Sequence, residues 1–112
     1  YSSGIFSFPS TGFWHIMFQT FCYHNADNDN IELHLMTTSN NSGYNTTAQS
    51  YSHMNNDDGG NLYTTLQVNH IFDVIDTSNY KVKFKTAGTS ANFHTDTGSD
   101  QSYAIFKRLG DT

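Results

Sequence analysis

From Phe13 to His24 the chain alternates with a period of two and carries large side chains on both faces. Trp14, Ile16, Phe18, Thr20 and Cys22 fall on one face, and Phe13, His15, Met17, Gln19 and Phe21 on the other. A strand built this way has no face to give to water. One side fills the core of the domain and the other needs a cover, for which another copy of the chain is the expectation. Upstream, Ile5 to Phe8 reads as a short strand that runs into Phe8-Pro9-Ser10-Thr11-Gly12. Pro9 cannot donate to a ladder and Gly12 tolerates angles that other residues avoid, so the chain turns there.

The same patterns divide the rest of the chain. Asn25 to Asn30 is all Asn, Asp and Ala and predicts a turn. Ile31, Leu33 and Leu35 alternate with Glu32, His34 and Met36, which predicts a half-buried strand. Thr37 to Asn61 is poor in apolar residues, yet Tyr44 and Tyr51 suggest anchored loop and edge strand rather than a linker. Leu62 to Ile75 predicts a second long strand, turned by Asp76-Thr77-Ser78-Asn79 into Tyr80 to Thr86 as a hairpin. Ala87 to Ser102 is small and polar around Phe93 and His94, and Tyr103 to Leu109 predicts the last strand. Seven or eight strands and no helix predict an all-β fold, a sandwich of two antiparallel sheets.

At 112 residues the chain is long enough for one domain, spanning 1–112, and too short for two. Charged residues make up only 13%, so Asn, Ser, Thr and Gly must supply the polar surface, while 15% aromatics is too many for a disordered chain. No stretch approaches a membrane span and no signal peptide is present; a start at Tyr1 suggests a piece cut from a longer protein. The net charge is −5, and all five basic residues, Lys81, Lys83, Lys85, Lys107 and Arg108, lie after position 80. Nucleic-acid binding needs a spread basic patch and is not expected. Lys81, Lys83 and Lys85 share one strand face, either as a solvated face that blocks edge-to-edge association or as partners for carboxylates of a neighbouring subunit.

Chemistry-bearing motifs are sparse. Cys22 is the single cysteine, so no intrachain disulfide is possible, and it lies on the expected core face as a small hydrophobe. His15, His24, His34, His53, His70 and His94 form no HExxH or i, i+4 pair. They read as surface or interface histidines, although three copies of one could hold a metal on a symmetry axis. Glu32 is the only glutamate, and no carboxylate pair flanks an evident cleft, so no enzyme is expected. Asp27, Asp29, Asp57 and Asp58 offer oxygens for calcium but lack the spaced D-x-[DN]-x-[DN]-G run. No other cofactor is suggested. Asn40-Asn41-Ser42 and Asn45-Thr46-Thr47 are formal glycosylation sequons.

Phe6-Ser7-Phe8-Pro9-Ser10-Thr11-Gly12-Phe13-Trp14 is similar to the F-T-x-P-x-x-G-hydrophobic-aromatic strand of the C1q/tumour-necrosis-factor jelly roll. With IELHLM, the long strands and SYAIFKRL following in order, the resemblance extends from Gly4 to Leu109. FDVIDTSNYKVKF and the closing FKRLGDT resemble the C-terminal heads of tail-fibre-type proteins of marine bacteriophages. Two features depart from the family. Its members usually carry one or two strands before the position of Tyr1, and their last strand often runs into a small apolar tail where this chain has Lys107 and Arg108.

The resemblance implies a jelly-roll β-sandwich assembled as a homotrimer. Phe13, His15, Met17, Gln19 and Phe21 would face the threefold axis, with the last strand (Lys107) and the Lys-bearing strand (Lys83) beside them. The function it implies is a virion fibre head that registers three chains and presents loops to a glycan or protein receptor on a host cell, without membrane insertion. Tyr44, Tyr51, Tyr63 and Phe93 are the aromatic candidates for stacking on sugar rings. Alternatives are a purely structural trimerisation cap, or a secreted complement-like or lectin-like pattern-recognition domain.

Overall fold

The predicted alternation becomes ladder pairing in the computed structural model, which describes residues 3–24, 28–55, 59–88, 92–94 and 101–112. For His24, Asn28, Asp29, Met54 and residues 92–94 the backbone alone is described. Among the described residues eight strands follow in order: β1 (Ile5–Ser7), β2 (Gly12–His24), β3 (Asn28–Thr38), β4 (Asn45–Met54), β5 (Leu62–Val74), β6 (Lys81–Gly88), β7 (Asn92–His94) and β8 (Tyr103–Gly110). One antiparallel sheet has the order β1-β6-β3-β4. In the other, β2 pairs with β5 along one edge, and β7 and β8 lie end to end along its other edge. The protein is an all-β sandwich of two antiparallel sheets.

The two sheets close on the side chains that alternation assigned inward. Trp14, Ile16 and Cys22 from β2 meet Ile31, Leu33 and Leu35 from β3, Leu66, Val68 and Val74 from β5, and Val82 from β6. Fully burying each large aliphatic side chain contributes roughly 1.5–3 kcal/mol. Aromatic rings bridge the layers. Phe18 of β2 stacks on Phe84 of β6 at 4.4 Å between centroids, and Phe6 of β1 stacks on Phe106 of β8 at 5.1 Å. Phe8 touches Trp14, Phe72 and Phe106. These inward rings account for much of the aromatic excess in the composition.

One expectation is corrected. Asp76 to Asn79 does not close a hairpin, because β5 and β6 lie in different sheets and do not pair. The turn instead carries the chain across the sandwich. Asp76 accepts from the Ser78 backbone N–H at 2.8 Å and from Asn79 Nδ2 at 2.7 Å, and its carbonyl accepts from Tyr80 N–H. Those hydrogen bonds hold the Asp76 carboxyl below the usual carboxylate range, the Ser78 N–H contributing most. The physical reason for the crossing is that Val74 and Val82 are both fully buried, and in opposite layers each reaches the one core. The Lys-bearing strand therefore pairs with β1 and β3, and is not beside the long aromatic strand.

The turn before β2 is held from several sides. Trp14 Nε1 donates to the Ser10 carbonyl at 3.1 Å, and Arg108 Nε donates to the Thr11 carbonyl at 2.9 Å while its Nη2 pairs with Asp111. Gly12 sits at φ +134°, and a Cβ there would lie 2.4 Å from the Gly110 carbonyl oxygen. Gly12→Ala combines left-handed-side strain with a backbone clash. It is expected to destabilise the fold by on the order of 1–3 kcal/mol, read as a lower denaturation midpoint; an unchanged midpoint would contradict the assignment.

Candidate interaction face

The outward side of the β5-β2-β8 sheet follows from pairing register. Phe13 lies between Asp73 and Gly110, His15 between Ile71 and Lys107, Met17 between Asn69 and Ile105, and Gln19 between Gln67 and Tyr103. Phe13, Ile71 and Ile105 are 38%, 58% and 45% exposed, an apolar patch running across all three strands. Polar side chains between the apolar ones are tied down. His15 Nε2 donates to Asn69 Oδ1 at 3.1 Å, and Gln67 Nε2 lies 3.0 Å from Met17 Sδ.

Toward the His24 end the character changes. Tyr23 is opposite Tyr63, and the Tyr63 ring stacks on Phe21 at 5.7 Å with 20° between planes. Phe21, Tyr23, Tyr63 and Asn61 line an open pocket of about 270 Å³. Tyr63 is 62% exposed. Flat aromatic faces beside a carboxamide suit a ligand with C–H faces and hydroxyls, the chemistry of a sugar ring.

Most of the residues expected in the interface come together here: Phe13, His15, Met17, Gln19, Phe21 and Lys107 share this face. Lys83 does not. It lies in the other sheet opposite Met36 and Ile5, with Nζ 4.2 Å from the centre of the Tyr44 ring. The four aromatic ligand candidates are scattered. Tyr44 packs under Lys83 at the β3–β4 turn, Tyr51 projects from edge strand β4, and Tyr63 lines the pocket. Phe93 lies on β7, and its side chain is outside the described residues, as are Asp27, Asp57, Asp58 and the side chain of Asp29. Among the described residues no group of three His, Cys, Asp or Glu is placed to hold a metal.

Alternation within β2 alone could not identify Asn69, Ile71 and Ile105, which join the face only through register with β5 and β8. Nor did it single out Tyr23, although the period-two signal placed it on the same side as Phe21. A second cluster lies on the outer side of the other sheet. His34 Nε2 donates to Glu32 Oε2 at 2.6 Å, Asn30 donates to the other carboxylate oxygen, and Thr46 Oγ1 lies 3.4 Å from His34 Nδ1. The His34 hydrogen bond, with that of Asn30, holds the Glu32 carboxyl below its usual range. Through Thr46 these contacts reach from β3 to β4, which makes the cluster a cross-strand brace.

The chain matches no protein-family model and none of the curated proteins with which it was compared.

Burial pushes the Cys22 thiol up and the His70 imidazole down. His70 lies on the inward side of β5, opposite Ile16 and against Phe72. A histidine whose folded pKa lies below its unfolded value of about 6.5 binds a proton more readily when unfolded. Stability from this group is therefore full above about pH 6.5 and falls as pH drops toward the lower folded value. The melting temperature is expected to fall between pH 7.5 and pH 5, and to fall less in His70→Gln; equal slopes would remove His70 as the cause.

Proposed function

We propose that this protein is a non-enzymatic, trimeric head of a viral tail fibre, a C1q/TNF-like jelly roll that registers three chains and recognises a glycan on the host surface. The observation that carries the assembly is the apolar patch of Phe13, Ile71 and Ile105, exposed in the middle of a sheet whose central strand is paired on both edges. Burying each such side chain against a neighbouring copy contributes roughly 1.5–3 kcal/mol, multiplied by three around the axis and reduced by the loss of translational and rotational freedom. The jelly-roll winding is supported by the order β1-β6-β3-β4 over β5-β2-β8, with a change of sheet at most connections. The viral source rests on the resemblance of FDVIDTSNYKVKF and FKRLGDT to fibre heads, and with it the placement on the virion.

Recognition over a purely structural cap is favoured by the pocket of Phe21, Tyr23, Asn61 and Tyr63. It lies at the end of the face away from the apolar patch, so three copies could present three pockets while the patch is covered.

Light scattering on the purified chain is expected to give three times the 12.6 kDa chain mass. Ile105→Asp is expected to give a monomer with unchanged β-sheet circular dichroism; a monomeric wild type would overturn the assembly. On a glycan array the wild-type trimer is expected to bind, and Tyr63→Ala to lose about fivefold in affinity while keeping its mass, since the loss of one stacked ring removes on the order of 1 kcal/mol. No binding above background by wild type would leave the structural cap.

A further inference from the structure

We infer that neighbouring copies are joined by an ion pair between Asp73 of one chain and Lys107 of the next. This rests on the proposal that the β5-β2-β8 face is the assembly face, and adds the charged contact that proposal leaves open. Among the described residues, Asp73 and Lys107 are the two formal charges in the ladder rows of this face, with His15 the only other titratable nitrogen beside them. They sit on opposite flanks of β2, Asp73 on β5 beside Phe13 and Lys107 on β8 beside His15. Both are exposed, and neither is in an ion pair among the described residues.

Within one chain the two do not pair. Two strand spacings of about 4.8 Å separate them sideways, and a further two residues of about 3.3 Å each offset them along the strands. Between chains the geometry is different. A rotation axis parallel to the strands brings the β5 flank of one copy against the β8 flank of the next with only that two-residue step left between the charges, a step the long Lys107 side chain can span. An axis across the strands would bring Asp73 toward the Tyr63 end of the partner's β5, leaving both charges at a partly apolar interface without a counterpart. Desolvating an unpaired charge is unfavourable, and a complementary pair fixes orientation more than it adds affinity. Parallel copies also let all chains enter the head from one side, as a fibre requires.

Charge reversal tests this pairing. Asp73→Lys and Lys107→Asp are each expected to raise the dissociation constant of the assembly at least about tenfold by bringing like charges together. The double variant is expected to return to within about threefold of wild type, and all three effects to shrink at 1 M salt, where screening acts over about 3 Å. Asp73→Asn, which removes charge without reversing it, is expected to fall between wild type and Asp73→Lys. If wild type assembles but the single reversals leave its mass and affinity unchanged, or the double variant is worse than either single one, the pairing is overturned while the assembly face stands. If wild type is monomeric, the assembly face and the pairing fail together.

Discussion

β2 is paired along its whole length, by β5 on one side and by β8 and then β7 on the other. Its backbone is thereby satisfied almost everywhere, and its side chains alone decide what lies above and below the sheet. Inward, Trp14, Ile16, Phe18 and Cys22 select a second sheet that offers Leu33, Leu35 and Phe84 in return. Outward, Phe13 and Met17 stand among Ile71 and Ile105 with nothing of the same sheet left to cover them. One strand thus accounts both for the core and for the exposed apolar patch.

The two outer surfaces of the sandwich have opposite characters. On the β1-β6-β3-β4 sheet, Glu32, His34, Asn30 and Thr46 satisfy one another, and Lys83 lies over Tyr44. On that surface the exposed ring of Tyr51 is set edge-on against His34. The opposite surface concentrates the exposed aliphatic residues and the aromatic pocket. Assembly on one and solvent on the other is the division this contrast favours.

Period-two reading was enough to place Ile31, Leu33 and Leu35 inward and to separate the two faces of β2, because a strand's side chains alternate whatever it pairs with. It was also enough to locate the turn at Pro9 and Gly12, where a missing donor and a left-handed-side angle leave few choices. Pairing was less legible. Asp76-Thr77-Ser78-Asn79 has the composition of a hairpin turn, and only the burial of Val74 and Val82 from two layers distinguishes a crossing from a hairpin. Lys83 was assigned to the wrong sheet for the same reason. The candidate site was half visible, since Phe13, His15 and Met17 follow from one strand while Asn69, Ile71 and Ile105 need the register of three.

Among the described residues, only the ladder of β3 with β4 joins strands adjacent in the chain. Asn40 Oδ1 closes that hairpin by accepting from Thr38 Oγ1 and from the Ser42 and Gly43 N–H groups. Every other pairing must wait until a long loop has been closed, at an entropic cost repaid only once distant segments meet. Folding is then expected to be slow for the chain's size. Throughout that search β2 would offer rings on either side to any passing strand. In the proposed trimer, a nascent chain held beside its sisters would meet the proper companion first.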